Sequence, residues 1–346
     1  MTVQTNTNIA TIEDFLSNLI TFAVTHAGFA NEGTLPMSAS TGKPANTLHR
    51  ISRTRNGITT YWGFDTINDI NTNTTPNLQV RGKMFVSLPT TANYLFTGNA
   101  SSIAQDEFTE MSAFDYQPPY TEGSTFYSDG NNVFAILEIR TGVFTMLSFG
   151  NVTKTDTWSG GEYLCGNSTR ANTGSLSWLT IENDVTKLMF SDKPAGAGNS
   201  SENYMRFNDG ITGSESFAIF GDTVAISGNT VNCVVGTYPM VAAHGNEGNP
   251  IFERMFDVLP STATLTVPLL PIFIMRFTQQ LASPTRFFWN ILGTIDNVRS
   301  FNITDSQPKL LVNTDWRIYP ALGAIGGTNV SNTISGKYGY AFKEIP

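Results

Sequence analysis

One stretch near the start of the chain carries a helical period, and most of the remaining chain alternates or turns. Thr11-Ile-Glu-Asp14 reads as an N-cap followed by first-turn carboxylates. Phe15, Leu16, Leu19, Ile20, Ala23 and Val24 then recur at i, i+3 and i+4 spacing, and Gly28 comes next as a stop. The spacing predicts an amphipathic helix over 12–27 that buries one face. Arg50–Arg55, Asn56-Gly57 and Ile58–Trp62 predict a hairpin, because Asn-Gly supplies the two positive φ values of a type I′ turn. Phe126–Ser128, Asp129-Gly130, Val133–Ile139, Thr141-Gly142 and Val143–Phe149 predict a β-meander, whose short turns force antiparallel neighbours.

Val224–Val235, Leu265–Phe277, Phe301–Ile303 and Trp316–Tyr319 are further strand candidates, and Phe287–Leu292 reads either as an aromatic strand or as a short helix. Asn68–Asn77, Asn167–Ser175, Ala195–Asn203 and Gly323–Gly336 are rich in Asn, Thr, Ser and Gly and read as exposed loops. No internal repeat stands out. The expected fold is mainly β: an antiparallel sandwich or meander-type body with long loops and one N-terminal amphipathic helix. Residues 1–30 form the arm and helix and 31–346 the β-rich body, with Pro118-Pro119 as the candidate subdivision. Two placements of the helix stay open: it covers its own sheet, or it reaches a neighbouring subunit together with the polar first ten residues.

Composition sharpens this picture. The 346 residues are 40% hydrophobic and 12% aromatic but only 14% charged, against a typical charged share of about 25%. Thr, Asn, Ser and Gly fill the polar positions, which suits strands and turns and argues against disorder. Lys and Arg number 20 and Asp and Glu 28, a net charge of -8, and no basic run occurs, so nucleic-acid binding is disfavoured. Cys165 and Cys233 are too few for a disulfide scaffold and read as buried thiols, with one bridge as the alternative. Residues 1–10 lack a secretory pattern, and the most apolar stretch, Leu265–Met275, is broken by Pro268 and Pro271; no membrane span is expected.

The chemistry-bearing residues form no recognisable set. His26, His49 and His244 do not pair at metal-ligand spacing, and His26 suits the helix end as a cation. His244 with Glu247 lacks a third ligand. Gly213-Ser-Glu-Ser216 is not a nucleophile elbow, and Gly196-Ala-Gly198 lacks the third glycine of a dinucleotide fingerprint. Asp129-Gly130 and Asn208-Asp209-Gly210 are turns rather than complete calcium loops. Glu138, Glu162, Asp156, Asp222, Asp257 and Asp315 are candidate carboxylates for glycan hydrolysis, but nothing selects a pair. No enzyme activity, catalytic residue, cofactor or metal is expected.

Two groups of aromatic and glycine residues carry a resemblance. Gly142-Val-Phe-Thr-Met-Leu-Ser-Phe-Gly150, followed by Trp158-Ser-Gly-Gly-Glu-Tyr-Leu-Cys-Gly166, resembles a family of tailed-bacteriophage virion structural proteins. There a strand ending in Phe-Gly precedes a Gly-Gly-x-Tyr turn and another Gly. Asp315-Trp-Arg-Ile-Tyr-Pro320 and Gly336-Lys-Tyr-Gly-Tyr-Ala-Phe-Lys343 are similar to that family's closing strands. The likeness covers the middle meander, the C-terminal stretch and, weakly, the first helix; 170–260 resembles nothing in the family.

The resemblance implies a particle component, made in the bacterial host cytoplasm and located in the virion, without catalytic residues. It implies a subunit building a ring or sleeve at the neck, collar or tail, in contact with copies of itself and with other phage neck or tail proteins; from the charge and hydropathy, no nucleic-acid or membrane partner is expected. The structural and interface residues it selects are Phe149, Gly150, Trp158, Gly160, Gly161 and Tyr163 around the central turn, and Trp316, Tyr319, Tyr338 and Tyr340 in C-terminal packing. The low charge agrees, because a buried interface disfavours unpaired Lys and Glu. The alternative within the virion is a baseplate or host-recognition tail protein that binds, or binds and cleaves, a surface glycan; outside it, a cellular scaffold protein.

Overall fold

The computed structural model describes residues 1–38, 46–69, 77–91, 94, 109–112, 118–166, 205–207, 218–219, 269–279, 287–302, 311–312, 315–320 and 338–344. Val224–Val235 and the polar stretches 167–175, 195–203 and 323–336 lie outside these residues, as do His244, Glu247, Asp222, Asp257 and Cys233. The protein is mainly β, with antiparallel sheets and one helix among the described residues.

The chain divides into two compact units. Unit 1 comprises Met1–Gly150, Leu164–Ser168 and Glu344–Pro346, and unit 2 comprises Asn151–Tyr163 and Thr169–Lys343. In chain order the first elements are β1 (Thr2–Asn6), α1 (Ile12–His26), β2 (Ala30–Met37), β3 (Asn46–Arg55), β4 (Ile58–Asp69), β5 (Asn77–Phe85) and β6 (Thr109–Ser112). After them come β7 (Ser124–Ser128), β8 (Asn132–Arg140), β9 (Val143–Asn151), β10 (Thr153–Lys154) and β11 (Glu162–Gly166).

Unit 1 is a sandwich of two sheets. One contains the run β1-β7-β8-β9-β11, and the other runs β2-β3-β4-β5-β6. The meander β7-β8-β9 forms as its turns predict: Gly130 and Gly142 both take positive φ, and Asp129 Oδ1 accepts from the Asn131 and Asn132 N–H groups at 2.8 and 2.7 Å. In the β3–β4 hairpin, Asn56 and Gly57 have φ of 51° and 79°, as a type I′ turn requires. The two sheets meet through aromatic rings. Phe64 of β4 lies 5.1 Å from Phe149 of β9, and Phe29 lies 5.2 Å from both Trp62 and Phe149. Arg53 of β3 ties the sheets at their rim, donating to the carbonyls of Gly130 and Asn131 at 2.9 and 2.6 Å while its guanidinium stacks over Phe29.

Helix α1 covers its own sheets, which decides between the two placements open in the sequence. The Thr11 hydroxyl accepts from the Asp14 N–H at 3.0 Å and fixes the start. At the other end the Ala27 N–H meets the Ala23 carbonyl and Gly28 takes φ +68°. Ile12, Phe15, Leu16, Leu19, Ile20, Phe22 and Ala23 are buried. Phe15 and Phe22 each pack 5.5 Å from Phe126 of β7, and the Thr66 hydroxyl of β4 donates to Glu13 at 3.0 Å. The exposed face holds Thr21 and Thr25, whose hydroxyls bond back to the carbonyls of Ser17 and Thr21, so it needs few charges.

Unit 2 contributes β12 (Met205–Phe207), β13 (Ala218–Ile219), β14 (Leu270–Gln279), β15 (Phe287–Asn302), β16 (Leu311–Val312), β17 (Trp316–Pro320) and β18 (Tyr338–Lys343). Its main sheet runs β10-β15-β18-β17-β16, with β14 also paired to β15. Phe287–Leu292 is strand, not helix: the long β15 pairs with β14 from Gln279↔Phe287 to Leu270↔Ser300. Pairing with a neighbour supplies the hydrogen bonds that a short isolated helix would have to make internally.

Candidate functional site

The residues selected around the central turn fall into both units. In unit 1, Phe149 is fully buried in β9 between Phe29 and Phe64. Gly150 has φ +151°, and a Cβ there would lie 2.7 Å from the Asn132 Cα, so the position admits no side chain. Both residues hold β9 flat against β8, where Asn132 pairs with Gly150.

In unit 2, the remaining residues shape a tight turn docked on β15. Gly160 and Gly161 take φ of 88° and 101°. The Gly161 carbonyl accepts from the Val152 N–H at 2.9 Å, which closes the turn on itself. Trp158 donates its indole N–H to the Leu292 carbonyl at 3.1 Å, and the Thr155 N–H donates to the same carbonyl at 3.0 Å. Lys154 caps the arrangement: its ammonium lies 4.6 Å from the centre of the Trp158 ring and donates to the Trp158 carbonyl at 2.6 Å. β10 meanwhile pairs with β15 at Thr153↔Thr294 and Lys154↔Gly293. Tyr163 is fully buried, and Glu162 accepts from the Asn151 amide at 3.3 Å.

The C-terminal residues belong to the same sheet of unit 2. Trp316 opens β17 opposite Lys343 and lies under the Arg299 guanidinium at 5.2 Å. Tyr319 and Tyr340 are register partners, both buried, and Tyr319 packs edge-on to Phe342 at 5.7 Å. Tyr338 pairs with Asn302 at the start of β18. Each of these residues therefore sits on a strand or a strand-docked turn.

The most concentrated charge chemistry lies elsewhere, in unit 1, among residues that no sequence motif singles out. Asp65 is 0% exposed and pairs across the β4–β5 ladder with Arg81, itself 5% exposed. Arg81 Nε donates to Asp65 Oδ1 at 2.9 Å and Nη2 donates to Oδ2. The Tyr94 hydroxyl donates to Oδ1 at 2.7 Å and the Asn46 amide to Oδ2 at 2.9 Å. Burial first, and then the Asp65 charge, push the Tyr94 hydroxyl well above its ordinary pKa. The carboxylate thus receives four donors and is sealed from water, so it ties β4, β5 and Tyr94 together. No local signal marks this pair, because the register between β4 and β5 alone decides that Asp65 and Arg81 meet.

Three of the carboxylates considered for hydrolysis, Glu138, Glu162 and Asp156, make hydrogen bonds to neighbouring backbone or side-chain groups, and Asp222 and Asp257 lie outside the described residues. Glu138 spends Oε1 on the Gly142 N–H at 2.9 Å, Glu162 holds Asn151, and Asp156 accepts from its neighbour Thr157. Among the described residues, no three His, Cys, Asp or Glu side chains are grouped to hold a metal ion. His26 stacks 5.0 Å from Phe22, and burial lowers the pKa of His49. Among the described residues no helix is long and apolar enough to cross a membrane. No protein-family model and no curated protein matches the chain.

Proposed function

We propose that the chain is a non-enzymatic structural subunit of a tailed-phage virion, building a ring or sleeve with copies of itself at the neck, collar or tail. One observation carries this reading. The residues that resemble the phage family are consumed in packing: Phe149, Tyr163, Tyr319 and Tyr340 are buried, Gly150 admits no side chain, and Trp158 spends its N–H on a backbone carbonyl. Shared residues of that kind suit a body that must be built, not a reaction that must be run. The charged share of 14% supports it, because surfaces that are covered on assembly are depleted in charge.

The test is electron microscopy of intact particles with gold-labelled antibody against this chain. Label at the head–tail joint or along the tail is the expected result. Label at the distal tip favours the baseplate or host-recognition role, and release of oligosaccharide from a bacterial surface polysaccharide would replace the structural reading with a glycan-cleaving one. Particles without label refute a place in the virion.

A further inference from the structure

We propose that β1 is exchanged between copies of this chain, the β1 of one copy pairing with β7 of the next. The inference rests on the self-assembling role proposed above and names its joint. β7 is buried at all five positions, so it needs a strand beside it. β1 supplies that strand from the edge of its sheet while burying little of itself: Thr2, Val3 and Thr5 are exposed and Gln4 and Asn6 half-buried. It carries no charge, no proline and no bulge, the devices that keep an edge strand from pairing with another chain. By contrast β2, the edge of the other sheet, contains Pro36 and a register shift between Asn31 and Thr34.

β1 is held by its ladder, Thr2↔Ser128 to Asn6↔Ser124, and by the Asn6 amide donating to the Ser124 hydroxyl at 3.3 Å. The chain is fastened again at Ile9, which is buried and exchanges two backbone hydrogen bonds with Tyr120 at 3.1 and 2.8 Å. Thr7 and Asn8 lie between these two anchorages, both exposed. Asn8 has φ 57°, a left-handed conformation that costs a residue with a side chain. Extending the backbone at Thr7 and Asn8 relieves that cost and frees β1, while Ile9 and α1 stay in place. Fully extended, the seven residues from Thr2 to Asn8 reach about 25 Å from Ile9.

Every contact β1 gives up inside one copy is remade with the next, which is why exchange is a low-cost route to assembly. Passed head to tail from copy to copy, β1 becomes a heterologous link, and such links close into rings when the rotation between copies permits.

A disulfide trap tests this. Asn6 and Ser124 are register partners whose side chains already touch, so the Asn6→Cys/Ser124→Cys pair is oxidised in the assembled full chain and run on a denaturing, non-reducing gel. Thr5→Cys/Thr125→Cys, the next pair in the ladder, serves as a second trap, and each single variant controls for Cys165 and Cys233. Exchange yields a ladder of covalent multimers from most chains. An assembled ring that yields only internally bridged single chains overturns the exchange and leaves self-assembly standing. A wild-type chain that sediments as a monomer at every concentration overturns both. Asn8→Gly, which removes the cost of the left-handed turn, is expected to lower the exchanged fraction several-fold, and an unchanged fraction removes the hinge and the proposal with it.

Discussion

Replacing Arg81 with methionine is expected to cost about 3–5 kcal/mol, because it leaves the Asp65 carboxylate buried without its counter-charge. The structure sets that size. Asp65 is 0% exposed, and its two oxygens receive two donors from Arg81, one from Tyr94 and one from Asn46. Losing the guanidinium removes half of the donors and all of the positive charge, and the two neutral donors that remain cannot hold an ion away from water. Asp65→Asn retains an acceptor for Tyr94 and Asn46 but takes the counter-charge away from the buried guanidinium. The double variant strands neither charge, so its cost is expected to fall short of the sum of the single costs by about 2–3 kcal/mol. Urea titration gives the stabilities, and hydrogen exchange at the β4 and β5 amides assigns the loss to unit 1. Single costs below about 1 kcal/mol, or costs that add within about 0.5 kcal/mol, would refute the view of Asp65 as a charge hub.

Two further changes address other parts of the molecule. Gly161→Val is expected to reduce soluble folded protein and lower the melting temperature, since φ is +101° and the new Cβ would lie 2.8 Å from the Lys154 Cε; normal yield with an unchanged melting temperature would count against a constrained turn. Burial, and secondarily Glu13, raise the pKa of Tyr120, whose hydroxyl has no hydrogen-bond partner among the described residues. A raised folded-state pKa gives stability that is complete below about pH 10, the ordinary tyrosine value, and is lost as pH rises through the folded value. Tyr120→Phe is therefore expected to flatten the fall in melting temperature above about pH 10, and an identical alkaline slope would remove Tyr120 as its source.

The elements legible in the sequence are those whose information is local. Thr11, the 3.6-residue spacing from Ile12 to Ala23 and Gly28 give the helix because a helix closes its hydrogen bonds within four residues. Asn56-Gly57 and Gly142 give tight turns because backbone conformation at one or two residues decides them. The strands β1, β2 and β5 were not legible. Thr2–Asn6 and Ala30–Met37 are edge strands with mostly exposed side chains, so they show no alternation of apolar and polar residues. Within β5, Gln79 and Arg81 are buried alongside Val80, because both faces of that strand are covered.

Of the aromatic and glycine residues singled out from the sequence, Phe149, Tyr163, Tyr319 and Tyr340 are buried and Gly150, Gly160 and Gly161 take positive φ, but their partners were invisible along the chain. Trp158 meets Leu292 across 134 positions, and Phe149 meets Phe29 and Phe64 from the opposite sheet. The division of the chain after Gly150 and the meeting of Asp65 with Arg81 likewise depend on which strands pair and in what register. A slip of one residue would send Asp65 to the opposite face from Arg81. Local periodicity and turn chemistry thus determined the helix, the hairpin and the meander. Only the tertiary structure decided that the helix covers its own sheets, that Phe287–Leu292 is strand, and which charge is buried, because each of these is fixed by contacts between residues distant in sequence.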